Sequence, residues 1–144
     1  MKYTIYNSTT GEISSVLSTH DPKLAVLNIG TNSYVEGEYN SQTHYIHNGQ
    51  AVAKPDNPST ETTCYTFDYA SKTWTIDHLQ TGHRARHLRN QLLSQIDRIN
   101  PVWYASLSQE QQQAVVAYRQ HLLAVPQQTG FPTVIDWPAK PTWL

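Results

Sequence analysis

Asn100-Pro101 divides residues 81–126 into two stretches that can each form a helix but cannot form one together. Proline disfavours helical geometry in the residue before it, so a helix arriving from the N-terminal side ends there. Before the break, Ala85, Leu88, Leu92, Ile96 and Ile99 recur at spacings of three and four; after it, Val115, Tyr118, Leu122 and Val125 do the same. Each set draws a narrow apolar stripe along a helix, one over about 80–99 and one over about 109–125, as in paired antiparallel helices. Thr81 is placed to cap the first. Ser108 caps the second, Gln111 completes a capping box, and Glu110 suits the positive end of the helix dipole. Pro126 closes it. A short connector makes the two helices antiparallel neighbours, with Trp103 and Leu107 plugging the open end. Stripes this narrow need a sheet, another segment or another chain to cover them.

The segment from Gly130 to Leu144 holds three of the eight prolines and two of the four tryptophans. It cannot be helical, and extended proline-rich backbone loses little entropy when it docks. Phe131, Ile135 and Trp137 either pack back on the helices and finish their core or enter a partner's groove. Trp143-Leu144 is the more exposed contact.

Residues 1–78 have a different pattern. Tyr3 and Ile5 alternate with Thr4 and Tyr6, Asn7 to Gly11 is a turn by composition, and Ile13 to Leu17 returns, which predicts a hairpin. Asp21 and Pro22 start a short helix that Gly30 can end. Tyr34 to Glu38 is the next strand. Asn48-Gly49 joins Thr43–Ile46 to Gln50–Ala53 through a type I′ turn, because both residues tolerate positive φ. Cys64–Phe67 and Thr73–Ile76 form the last hairpin, anchored by Trp74. The predicted class is α+β: a small antiparallel β-module of hairpins over 1–78, then an antiparallel two-helix hairpin with an extended Pro/Trp tail over 79–144.

The formal net charge of −1 hides a division. Residues 1–80 carry four Lys and eight Asp or Glu, whereas 81–144 carry five Arg, one Lys and three acids. That is not the profile of a nucleic-acid binder. No apolar run is long enough to span a membrane, and Met1 to Ile5 does not open a signal peptide. Cys64 is the only cysteine, which excludes an internal disulfide, and it fits an inert strand residue better than a nucleophile. These features place the chain in the cytoplasm, or in a particle assembled there.

Arg84, Arg86 and Arg89 crowd the first turns of a helix, the unfavourable end for cations. They either pair with acids such as Glu36, Glu38 or Asp77, or present guanidinium groups to an acidic partner protein. His83 and His87 share a helix face but have no Glu beside them and two arginines close by, so no metal is expected there. His44, His47 and His20 read as surface histidines. No nucleophile elbow and no glycine-rich phosphate loop is present, so the chain reads as a binding protein without a cofactor.

Arg89-Asn90-Gln91-Leu92-Leu93, Asp97, Leu107-Ser108-Gln109-Glu110-Gln111, Tyr118-Arg119-Gln120-His121-Leu122-Leu123, Pro126-Gln127, Gly130-Phe131-Pro132 and Ile135-Asp136-Trp137-Pro138 together resemble the C-terminal module of phage tail assembly chaperones. The same residues are more loosely similar to the C-terminal half of tail fibre assembly chaperones. The order departs after Asp97, where Arg98-Ile99-Asn100-Pro101 delays the tryptophan to position 103. The resemblance carries no catalytic residue and no cofactor. It implies a non-enzymatic protein that binds a tail fibre, an adhesin or the tape-measure protein in the host cytoplasm, with oligomerisation open to it. The alternative is a tail subunit retained in the virion and touching the host surface. Neither nucleic acid nor membrane is an expected partner. The candidate contact residues are Arg84, Arg86, Arg89, Tyr118, Arg119, Trp137 and Trp143.

Overall fold

The computed structural model describes residues 1–27 and 29–144. The architecture is α+β, with antiparallel strands first and helices after. The chain divides into two compact units, one of residues 1–58 and 65–75, the other of 59–64 and 76–144. The short stretch 59–64 thus belongs with the helices, although its composition reads as part of the β-module.

In the first unit, strand β1 (Lys2–Tyr6) lies between β2 (Ile13–Ser18) and β3 (Ser33–Glu36), antiparallel to both. Tyr3 and Ile5 are buried on one face, as the alternation predicts. Thr4, on the other, is fully buried too. Its hydroxyl donates to the Gly37 carbonyl at 2.9 Å and accepts the Tyr39 N–H at 3.0 Å, so the polar side chain is satisfied. Helix α1 (Pro22–Leu27) follows β2, with Asp21 Oδ1 accepting the Lys23 N–H at 2.9 Å. Asn28, the last residue of the predicted helical stretch, lies outside the described residues.

Strands β4 (His44–His47) and β5 (Gln50–Ala53) form the Asn-Gly hairpin, with Asn48 at φ 50° and Gly49 at φ 73°. Strands β6 (Tyr65–Asp68) and β7 (Thr73–Ile76) form the last. Its turn is built on Asp68, which accepts the Ser71 hydroxyl at 2.7 Å and the Ala70 N–H at 3.0 Å. The Ser71 bond and then the Ala70 bond hold the Asp68 carboxyl below its ordinary range. Trp74 packs edge-on to Phe67 and donates its indole N–H to the Pro55 carbonyl at 2.8 Å. The Lys54 ammonium stands 4.6 Å from the Phe67 ring, 4.8 Å from Tyr69 and 5.8 Å from Trp74. It donates to the Ser41 carbonyl at 2.7 Å and to the Tyr69 hydroxyl at 2.9 Å.

In the second unit, α2 (His78–Asp97) and α4 (Gln109–Ala124) are joined through a short helix, α3 (Pro101–Ser106). Thr81 does not cap α2. Asp77 does, accepting the Gln80 N–H at 2.9 Å. Thr81 is instead fully buried, where its hydroxyl accepts the Cys64 N–H at 3.1 Å and donates to the Cys64 carbonyl at 3.4 Å. Thr81→Val keeps the shape but strands a buried N–H, and is expected to cost about 1–3 kcal/mol. Thr81→Ser keeps the bond and should cost less. Thermal melts of the two variants check this, and equal melting temperatures would remove the hydroxyl from the account.

Helix α2 ends at Asp97 with Arg98 as its C-cap, three residues before Pro101, and Asn100 starts α3, accepting from Val102 N–H at 2.8 Å and Trp103 N–H at 3.3 Å. The predicted plug is half right. Leu107 packs against the helical core, but Trp103 is exposed, and Tyr104 on the other side of α3 faces inward in its place. Ser108 and Gln111 make the predicted capping box on α4. The core joins Leu93 and Ile96 of α2 to Val115, Tyr118 and Leu122 of α4, with Leu92, Ile99, Trp137 and Leu144 packed around it. A 3-10 turn, Val125–Gln127, ends α4. Among the described residues no helix is long and apolar enough to cross a membrane.

Candidate functional site

Three pieces of the helical unit are tied side by side. The Thr81–Cys64 bonds hold the start of α2 to the segment 59–64, and the Arg84 guanidinium donates to the Thr60 carbonyl further along. The tail is tied from the other direction. Arg86 places its guanidinium 4.9 Å from the Phe131 ring centroid, and buried Gly82 leaves room for Phe131 and Pro132. The Gln128 amide then clamps the tail shut, donating to the Asp136 carbonyl and accepting the Asp136 N–H, both at 2.8 Å.

Between these pieces runs a groove of about 760 Å³, within the size range of ligand-binding clefts. Its apolar lining is Ala85, Leu88, Pro132, Ile135 and Trp137, all buried or half-buried. Its polar lining includes His83, Arg84, His87, Gln91 and Glu61, all exposed, which makes them its rim. Trp137 serves twice, covering the helical core and lining the groove.

The expected contact residues separate on this geometry. Arg84 and Trp137 lie in the groove. Arg86 is turned to Phe131, and Arg89 forks onto Asn90 Oδ1 at 3.0 and 2.8 Å. Of the acids considered for these arginines, Asp77 caps α2 and Glu38 pairs with Lys2. Arg119 binds Asp97 at 2.9 Å, an exposed pair worth about 0–1 kcal/mol. Tyr118 is in the core, where burial pushes its phenol above the ordinary value, so its ring is not a surface contact. Trp143 is 39% exposed, while Leu144, expected outside with it, packs on the core. Among the described residues no group of three or more His, Cys, Asp or Glu could hold a metal ion. His83 and His87 line the groove instead.

Residues 82–142 match the phage tail assembly chaperone protein family. The match bears out the resemblance read from the short motifs and covers rather less than half of the chain. No curated protein and no solved structure matches the chain. The chaperone-family segment supplies both the α2 wall of the groove and the tail wall, whereas Glu61, Thr62 and Thr63 come from outside it. The match supports a role in tail assembly.

Sequence reading missed Gln128 and Gly82. A glycine within a helical pattern is a visible signal of close approach. The Gln128 clamp has none, because it depends on a tail path that only the folded chain defines. Gln128→Ala is expected to cost about 1 kcal/mol for the lost pair of bonds. It should also speed thermolysin cleavage before Val134, and an unchanged cleavage rate would show that Trp137 packing alone holds the tail.

Proposed function

We propose that this chain is a non-enzymatic assembly chaperone that binds another tail protein while the particle is built, and that the groove of the helical unit is its contact surface. The observation that carries this reading is the groove itself: both of its long walls come from the family-matched segment, and they bring apolar side chains and a polar rim with Arg84 to one place. An assembly chaperone must cover apolar or strand-edge surface that would aggregate before the client finds its place. The client is a fibre, an adhesin or the tape-measure protein, met in the host cytoplasm.

Co-expression with the tail proteins encoded beside it tests the reading. One of them should become soluble and co-purify. No gain in solubility and no complex with any of them would end the proposal. Mass spectrometry of purified particles then separates a departing chaperone, which is absent, from a retained tail subunit, which is present at fixed stoichiometry.

A further inference from the structure

We infer that the groove takes an extended, mainly apolar segment of the client that carries a carboxylate beside its apolar residues. The inference rests on the chaperone reading and names the chemistry of the segment bound.

Two observations carry it. The first is charge. His83, Arg84 and His87 stand along the α2 side of the rim, and Glu61 is the acid that lines the groove with them. Arg84 has five N–H donors, and its recorded bond goes to the Thr60 carbonyl. Arg84 and the ring N–H donors of His83 and His87 therefore favour a carboxylate beside α2, and a lysine there would meet the like charge of Arg84. The second is backbone. Ile135 and Trp137 line the groove, and among the described residues neither their backbone N–H nor their carbonyl groups make an intramolecular hydrogen bond. Asp136 between them is held by Gln128. A non-helical backbone pinned at Asp136, with the residues on either side unpaired, can accept a second extended chain, as in recognition by strand addition. A helix would satisfy its own backbone and leave these groups unmet.

Fluorescence anisotropy on the full chain tests this with three short labelled peptides of alternating valine and serine, identical except for a central aspartate, asparagine or lysine. The aspartate peptide is expected to bind roughly tenfold tighter than the lysine peptide. The same peptide N-methylated at alternate residues should bind much more weakly. His87→Glu changes an exposed rim residue and should abolish or reverse the charge preference. As a second variant, Leu88→Asp should remove aspartate-peptide binding, with far-UV circular dichroism confirming that the helices persist. Equal affinity for the three peptides, or a preference untouched by His87→Glu, would overturn the inference. So would a dimer in light scattering that His87→Glu dissociates, since a second copy would then fill the groove. Co-expression keeps the two proposals apart: a tail protein still kept soluble by both groove variants leaves the chaperone reading standing and removes the groove from it.

Discussion

Gly11→Ala is expected to unfold the β-rich unit. Gly11 has φ +81°, and a Cβ there would lie 2.0 Å from the Ile46 carbonyl oxygen, which is backbone and cannot rotate aside. The Gly11 carbonyl also accepts the Ile46 N–H at 2.9 Å, so the turn between β1 and β2 is fixed directly to β4. An L-residue in that conformation costs about 1–2 kcal/mol before any clash. Moving the turn away breaks the bond to a strand whose Ile46 is buried, and the total is on the order of 4 kcal/mol or more. That is comparable with the whole stability of a small unit. Near-UV circular dichroism should lose the signal of the Phe67, Tyr69 and Trp74 cluster while the helical band at 222 nm survives. An intact near-UV spectrum would mean that the turn relaxes without losing β4.

Leu122→Ala has the largest expected effect on the helical unit. Leu122 is fully buried and sits among Leu93, Ile96, Val115 and Tyr118. Removing its branched end leaves a cavity that α2 and α4 cannot both collapse into. The expected cost is about 3–4 kcal/mol. Leu122→Met, which nearly conserves volume, should cost under about 1.5 kcal/mol. Urea unfolding followed at 222 nm checks both. A loss below that of the methionine variant would show that the two helices carry little of the unit's stability. Because Trp137 covers the same core and lines the groove, peptide binding should fall along with stability.

These cases show what the sequence made legible. Elements with local causes were readable: the capping box at Ser108 and Gln111, the Asn48-Gly49 turn, and the stripe Val115, Tyr118, Leu122 and Val125, all four of which are buried. The α2 stripe was read less well. Leu92 packs half-buried against the core as expected, but Leu93 beside it is the more deeply buried, so the α2 face is wider than the stripe. Helical period alone cannot distinguish neighbouring stripes when leucines are adjacent. Thr81 was assigned to a cap on local grounds, and the tertiary bond to Cys64 took it. In the site, Arg84 and Trp137 were found as residue types that suit an interface. The groove joining them needed the tail path and the stretch 59–64, which no local pattern specifies.

Lys54 makes the β-rich unit report on itself. Its amine is surrounded by three rings and held by two oxygens. An acylating reagent can attack only when those contacts open. Its modification rate should therefore lag far behind that of exposed Lys23 in helix α1. Amine footprinting by peptide mass mapping would then follow the opening of this unit alone, with no engineered probe and with a client protein present in the same tube.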